Sequence, residues 1–164
     1  MIKFRYVFLL ALLSSASAVL AEDPAGPEDT VRAFNTAIGD RNLDAVLAQL
    51  LGGGVHFNLR PSHQGQGDTT LTSELIPRWS MVGPVLFSTT KTYQRDLEII
   101  DTQQHGEIAT VWATVRTETV MLSDGKRNQA AFTEVYLLAN TPSGWKIAGV
   151  ADNRQPNDVG MAGN

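Results

Sequence analysis

From Glu107 to Asp152 polar and apolar positions alternate with a period of two, the signature of pleated strands with one face buried. Ala109, Val111, Ala113 and Val115 fall on one side of the first strand, Glu107 to Leu122, and Trp112, Thr114, Arg116 and Glu118 on the other. Ser123 to Lys126 then turn the chain into a second strand, Asn128 to Asn140, and Thr141 to Gly144 turn it into a third, Trp145 to Asp152. A Gly in each turn suits the left-handed position of a three-residue loop with a bulge. That loop length sets Val115 opposite Thr133, Ala113 opposite Val135, Val111 opposite Leu137 and Leu137 opposite Gly149. It gathers the apolar residues on one face, as burial of a single face demands.

Upstream the period changes. Glu28 to Ile38 carries Val31, Phe34 and Ile38 at helical spacing, with Pro27, Glu28 and Asp29 suited to the first turn. Asn42 is placed to cap a second helix through Leu51, stopped by Gly52 to Gly54. Val55 to Arg60 alternates as a short strand, and Pro61 to Thr70 is polar and rich in Gly, a loop. A third helix is expected from Ser73 to Val82, closed by Gly83 and Pro84, followed by a long bent strand from Val85 to Thr102 in which Leu97 and Ile99 join the face of Val111.

The 164 residues suit one domain with a core of its own. Lys3 and Arg5 precede an apolar run from Tyr6 to Leu13, then small residues with cleavage points after Ala18 or Ala21, the three-part pattern of a secretory signal peptide. The expected organisation is a signal peptide over 1–21, a linker over 22–26, the domain over 27–152 and a flexible tail over 153–164, in a periplasmic or secreted protein that meets no membrane after cleavage. Loss of Lys3 and Arg5 takes the formal charge from −4 to −6, which argues against a nucleic-acid partner. The chain has no Cys, so disulfides, thiol nucleophiles and thiolate metal sites are excluded.

Helical hairpin, short strand, third helix and curved antiparallel sheet is the element order of the nuclear transport factor 2-like superfamily, and the chain resembles its bacterial SnoaL-like members. The residues that carry the likeness are Asp29 to Leu51, Gly106 to Ala113, the Asp124 and Gly125 turn, and Phe132 to Glu134 leading to Gly144 to Ile147. The resemblance implies an α+β cone-shaped fold, with N-terminal helices packed on a strongly curved antiparallel β-sheet around a pocket. It spans isomerases, dehydratases, cyclases and non-catalytic modules, and fold alone does not select among them.

Toward the Asp124 turn the apolar face becomes polar. Tyr93, Arg95, Thr117 and Thr133, with Trp79 as roof and His56 on the less apolar side of its strand, form the candidate ligand site. His56 and His63 are candidate acids or bases; His105 reads as part of a turn. No His pair sits at metal-ligand spacing, and no phosphate loop, dinucleotide fingerprint or nucleophile elbow is present, so neither metal nor cofactor is expected. The other face, with Trp112, Phe132, Tyr136 and Val150 among Asp96, Glu98, Arg116, Glu134 and Asp152, reads as a homodimer interface. Three readings stay open: a binder of a small, largely apolar molecule, an isomerase, dehydratase or cyclase using His and a carboxylate, and a non-catalytic dimerisation or partner-binding module.

Overall fold

The computed structural model describes residues 25–59 and 72–154. The expected signal peptide, His63 with the whole of its loop, and the tail from Gln155 onward lie outside the described residues. Helix α1 (Pro27–Gly39) starts with Pro27 in its first turn and the Asp29 carboxylate accepting the Gly26 N–H at 2.9 Å. It buries Val31, Phe34 and Ile38 against the sheet. Helix α2 (Leu43–Ala48) is capped by Asn42, whose Oδ1 accepts the Ala45 N–H.

This second helix is shorter than its apolar stripe suggests. Leu50 to Gly54 belong instead to strand β1 (Leu50–Asn58), because β1 runs parallel to the last strand, with Leu50 beside Ile147 and Val55 beside Gly149. The glycines are close-approach residues and not a helix stop. A Cβ on Gly54 would lie 3.0 Å from the Ala148 carbonyl oxygen, and Gly53 has φ +79 at the irregularity between the two paired segments.

A short strand β2 (Thr72–Glu74) pairs with β1 and leads into α3 (Leu75–Thr89), which continues past Gly83 and Pro84. Pro84 is exposed, whereas Gly83 is buried where a Cβ would come within 2.9 Å of Leu43 Cδ1 of α2. The far end of α3 is held by Arg41, which donates to the carbonyls of Phe87 and Thr90 and places a cation at the helix C-terminus. The long strand therefore starts at Thr90, five residues later than its composition implies.

Strands β3 (Thr90–His105), β4 (Ile108–Met121), β5 (Arg127–Thr141) and β6 (Gly144–Asp152) complete one six-stranded sheet in the order β2-β1-β6-β5-β4-β3, antiparallel except for β1 and β6. His105 is the last residue of β3 and no more than the edge of a turn. The helices pack on one face of this open, cone-like sheet, over a core of Val31, Phe34, Ile38, Leu75, Val111 and Leu138.

The register of β4 and β5 differs by one from that expected. Met121 donates to the Lys126 carbonyl and Gly125 to that of Met121, so the turn holds four residues and sets Val115 opposite Phe132, Ala113 opposite Glu134 and Val111 opposite Tyr136. The shift exchanges the faces of β5. Asn128, Phe132, Glu134, Tyr136 and Leu138 are buried beneath the helices, while Thr133, Val135 and Leu137 face out. Leu137 still pairs with Gly149, because β6 bulges at Ala148. The proposed interface patch is thus divided: Trp112 is on the outer surface, and Phe132 and Tyr136 are on the inner one.

Candidate functional site

Five strands bring polar side chains to the inner face at neighbouring rows. One row runs Asn58, Asp152, Glu134, Ala113, Ile99, and the next runs His56, Val150, Tyr136, Val111. Alternation in β1 would bury Val55, Phe57 and Leu59, but the opposite holds. His56 and Asn58 are 6% and 7% exposed, whereas Phe57 is 40% exposed. A strand that hides its polar side must satisfy those groups internally.

His56 Nε2 lies 2.9 Å from Asp152 Oδ2. The other oxygen, Oδ1, accepts from Asn58 Nδ2 at 2.6 Å and from the Arg154 backbone N–H at 3.1 Å. Burial alone would raise the Asp152 pKa; the hydrogen bond and charge of His56, with Arg154, outweigh it and hold the carboxylate below its ordinary range. A carboxylate only accepts, so Nε2 carries a proton, and when the ring holds a single proton the free lone pair is on Nδ1. That Nδ1 is buried and meets no protein hydrogen-bond partner. Ser73, directly opposite His56 across the β1 and β2 pair, has a buried hydroxyl in the same state.

A second cluster surrounds Glu134. Arg95 Nη2 lies 2.5 Å from Glu134 Oε2, which also accepts the Tyr136 hydroxyl, and Asn35 of α1 joins through Arg95 Nε and, at 3.0 Å, the Tyr136 oxygen. Burial opposes the charge on Arg95, but the adjacent Glu134 carboxylate more than restores it and raises its pKa further. Burial, then Glu134, pushes the Tyr136 phenol well up, so it stays a neutral donor.

Both clusters open on a cavity of about 520 Å³ between α3 and the inner sheet face. Its wall is mainly apolar, with Phe34, Leu75, Trp79, Val82, Leu86 and Val150 among the lining residues. Of the sequence candidates, His56, Trp79, Tyr93, Arg95 and Thr117 line this cavity together. Trp79 is at once roof and core, edge-on to Phe34 at 5.6 Å. Thr133 does not line it; the register shift turns its side chain outward, where its backbone N–H donates to Asn153. The sequence reading missed Glu134, Asp152, Asn58, Asn128 and Arg154 as inner-face residues. The acidic partners were visible as residues, and their pairing opposite one another was read correctly, but the assumed turn length assigned them to the outer face.

A more open depression of about 430 Å³ on the outer face is lined by Asp96, Arg116 and Gln129. Its Arg116 to Glu98 pair, 3.2 Å apart, joins exposed side chains and carries little energy. Among the described residues no cluster of His, Asp and Glu could hold a metal ion.

No protein-family model matches the sequence, and no curated protein does. Solved structures do. A ketosteroid isomerase-like protein from Erwinia carotovora atroseptica superposes with a TM-score of 0.61 at 21% identity, over 77% of this chain and 91% of that one. A candidate dehydratase of the nuclear transport factor 2-like family from Streptomyces avermitilis gives 0.60 at 15% identity, over 77% and 92%. A nuclear transport factor 2-like superfamily protein from Salmonella enterica gives 0.57 at 16%, over 82% and 93%. Element order, strand order and these likenesses agree that the chain has the nuclear transport factor 2-like fold.

Proposed function

We propose that the cavity takes up a small, largely apolar molecule and moves a proton on it, with His56 as general base and acid and Asp152 as the residue that orients it. The observation that carries this reading is the 2.9 Å contact of His56 Nε2 with Asp152 in the wall of a mainly apolar cavity, with Nδ1 left unpartnered by the protein. An imidazole so held can accept a proton from carbon next to a carbonyl, or from carbon next to a leaving hydroxyl, and return it elsewhere. Double-bond isomerisation and loss of water both reduce to that pair of transfers. The ketosteroid isomerase-like and dehydratase names among the structural neighbours are compatible with it. The Lys3 to Ala21 pattern supports a site of action outside the cytoplasm.

The test needs no known substrate. A panel of apolar cyclic ketones and β-hydroxy ketones is incubated with the protein in deuterated buffer, and isotope uptake and loss of water are followed by mass spectrometry. His56→Gln is expected to lower any protein-dependent exchange about 100-fold or more, in line with loss of a positioned base. Exchange equal in wild type and His56→Gln would sink the assignment of His56.

A further inference from the structure

Among the described residues, the Arg154 side chain lies in the cavity wall without donating a hydrogen bond. Residues alternate inward and outward past the end of β6, so Arg154 follows Asp152 on the inner side, and it lines the cavity. Its guanidinium lies over the Phe132 ring, 3.9 Å from the centroid, which fixes its plane and leaves its N–H edge for a partner. Nε is buried and unpaired, whereas the side chain as a whole is 34% exposed, so the Nη groups are the donors a partner can reach. The nearest carboxylate oxygen, Glu134 Oε1, is 3.8 Å from Nη2, too far for a hydrogen bond. Glu134 is in any case engaged by Arg95 and Tyr136, and Asp152 by His56, Asn58 and the Arg154 backbone. Arg95 adds a second positive centre, 5.7 Å from the same ring.

A cation in a mainly apolar cavity wall, with no carboxylate of the described residues within hydrogen-bond distance, is matched by an anionic group on the ligand. A guanidinium edge matches a carboxylate in shape and charge and donates two parallel hydrogen bonds to it. We infer that the ligand of this cavity is a carboxylic acid on a hydrocarbon body, its carboxylate held by Arg154 and its apolar part against α3. This deepens the reading of the cavity as an apolar small-molecule site and rests on it. The acid end then lies beside Arg154, two residues past Asp152, and anchoring it limits which ligand carbons reach His56.

The probes are 2-naphthylacetic acid and its uncharged relative 2-naphthylacetamide, titrated calorimetrically at pH 7 into wild type, Arg154→Met and Arg154→Lys, each checked for native circular dichroism and melting temperature. Wild type is expected to bind the acid at least tenfold more tightly than the amide. Arg154→Met should bind the two alike, with its amide affinity unchanged, because Met keeps the apolar contact with Phe132; Arg154→Lys should keep part of the preference. Equal binding of acid and amide by wild type, or a preference that survives Arg154→Met, overturns the carboxylate assignment and leaves the apolar cavity standing. Binding of neither probe at millimolar concentration overturns both.

Discussion

Asp152 couples stability to pH in a way that separates it from a surface acid. Its pKa is lowered in the folded chain, so its stabilising effect is fully present above the unfolded carboxylate value and is lost as pH falls through the lower folded value. Wild type should therefore exceed Asp152→Asn in stability by about 1 to 3 kcal/mol at about pH 5, above the carboxylate range. The difference should shrink below about pH 4; thermal melts of both proteins between about pH 5 and pH 2 check it, and a gap that keeps its full size to the acid end would contradict the lowered Asp152 pKa. Glu134 makes a harsher demand. Arg95 is 3% exposed at its side chain, and Glu134→Gln removes its counter-charge, so a loss of about 3 to 5 kcal/mol in urea unfolding is expected. Residue type alone nominated His56 and Arg95, an imidazole on the less apolar side of its strand and a guanidinium where the apolar face turns polar. It could not nominate their partners, whose role depends on which way β5 faces.

Turn length decided that. Between Met121 and Lys126 the sequence permits several loops, and apolar counting favoured the one that buries Val135 and Leu137. The chain instead buries Glu134 and Tyr136, because Arg95 and Asn35 arrive from β3 and α1 to satisfy them, a compensation that no local window contains. Periodicity read α1, β4 and β6 nearly to their ends, and it failed where long-range packing overrides local chemistry. Gly83 and Pro84 look like a helix end, yet α3 persists through them by packing on Leu43, and Arg41 donates to carbonyls at its far end. Gly52 to Gly54 look like a stop, yet they let β1 approach β6. That last account is testable. Gly54→Ala would put a Cβ 3.0 Å from two backbone oxygens, of Ala148 and Leu51, which cannot rotate away. It should cost about 1 to 3 kcal/mol of stability, measured by chemical denaturation; Gly52→Ala, with open space around it, should cost much less. Equal effects would mean that the triplet only needs flexible backbone.

The outer surface of the sheet, once Phe132 and Tyr136 are assigned to the interior, keeps a row of its own: Trp112 on β4, Val135 on β5, Ala151 on β6 and Phe57 on β1 are direct neighbours. Leu137 lies beside this row, and Trp112, Leu137 and Phe57 are 45%, 44% and 40% exposed. The helices cover the opposite face, so nothing within the described chain shields these side chains. Toward the Asp124 end the surface changes character, with Arg116 between Asp96 and Glu98. We propose that a second copy of the chain covers the apolar row and that the charged end forms the rim, the arrangement of an isologous interface. The acidic balance of the chain does not oppose it, because the charges lie off the row. Trp112→Glu places a carboxylate at its centre without touching the core, so it should yield a folded monomer with an unaltered His56 cavity. Sedimentation velocity at micromolar concentration reads the change, and Val111→Glu, aimed into the core one residue away, should unfold the chain instead. A sedimentation profile for Trp112→Glu identical to wild type would remove the second copy from this face and leave the row as an ordinary exposed surface.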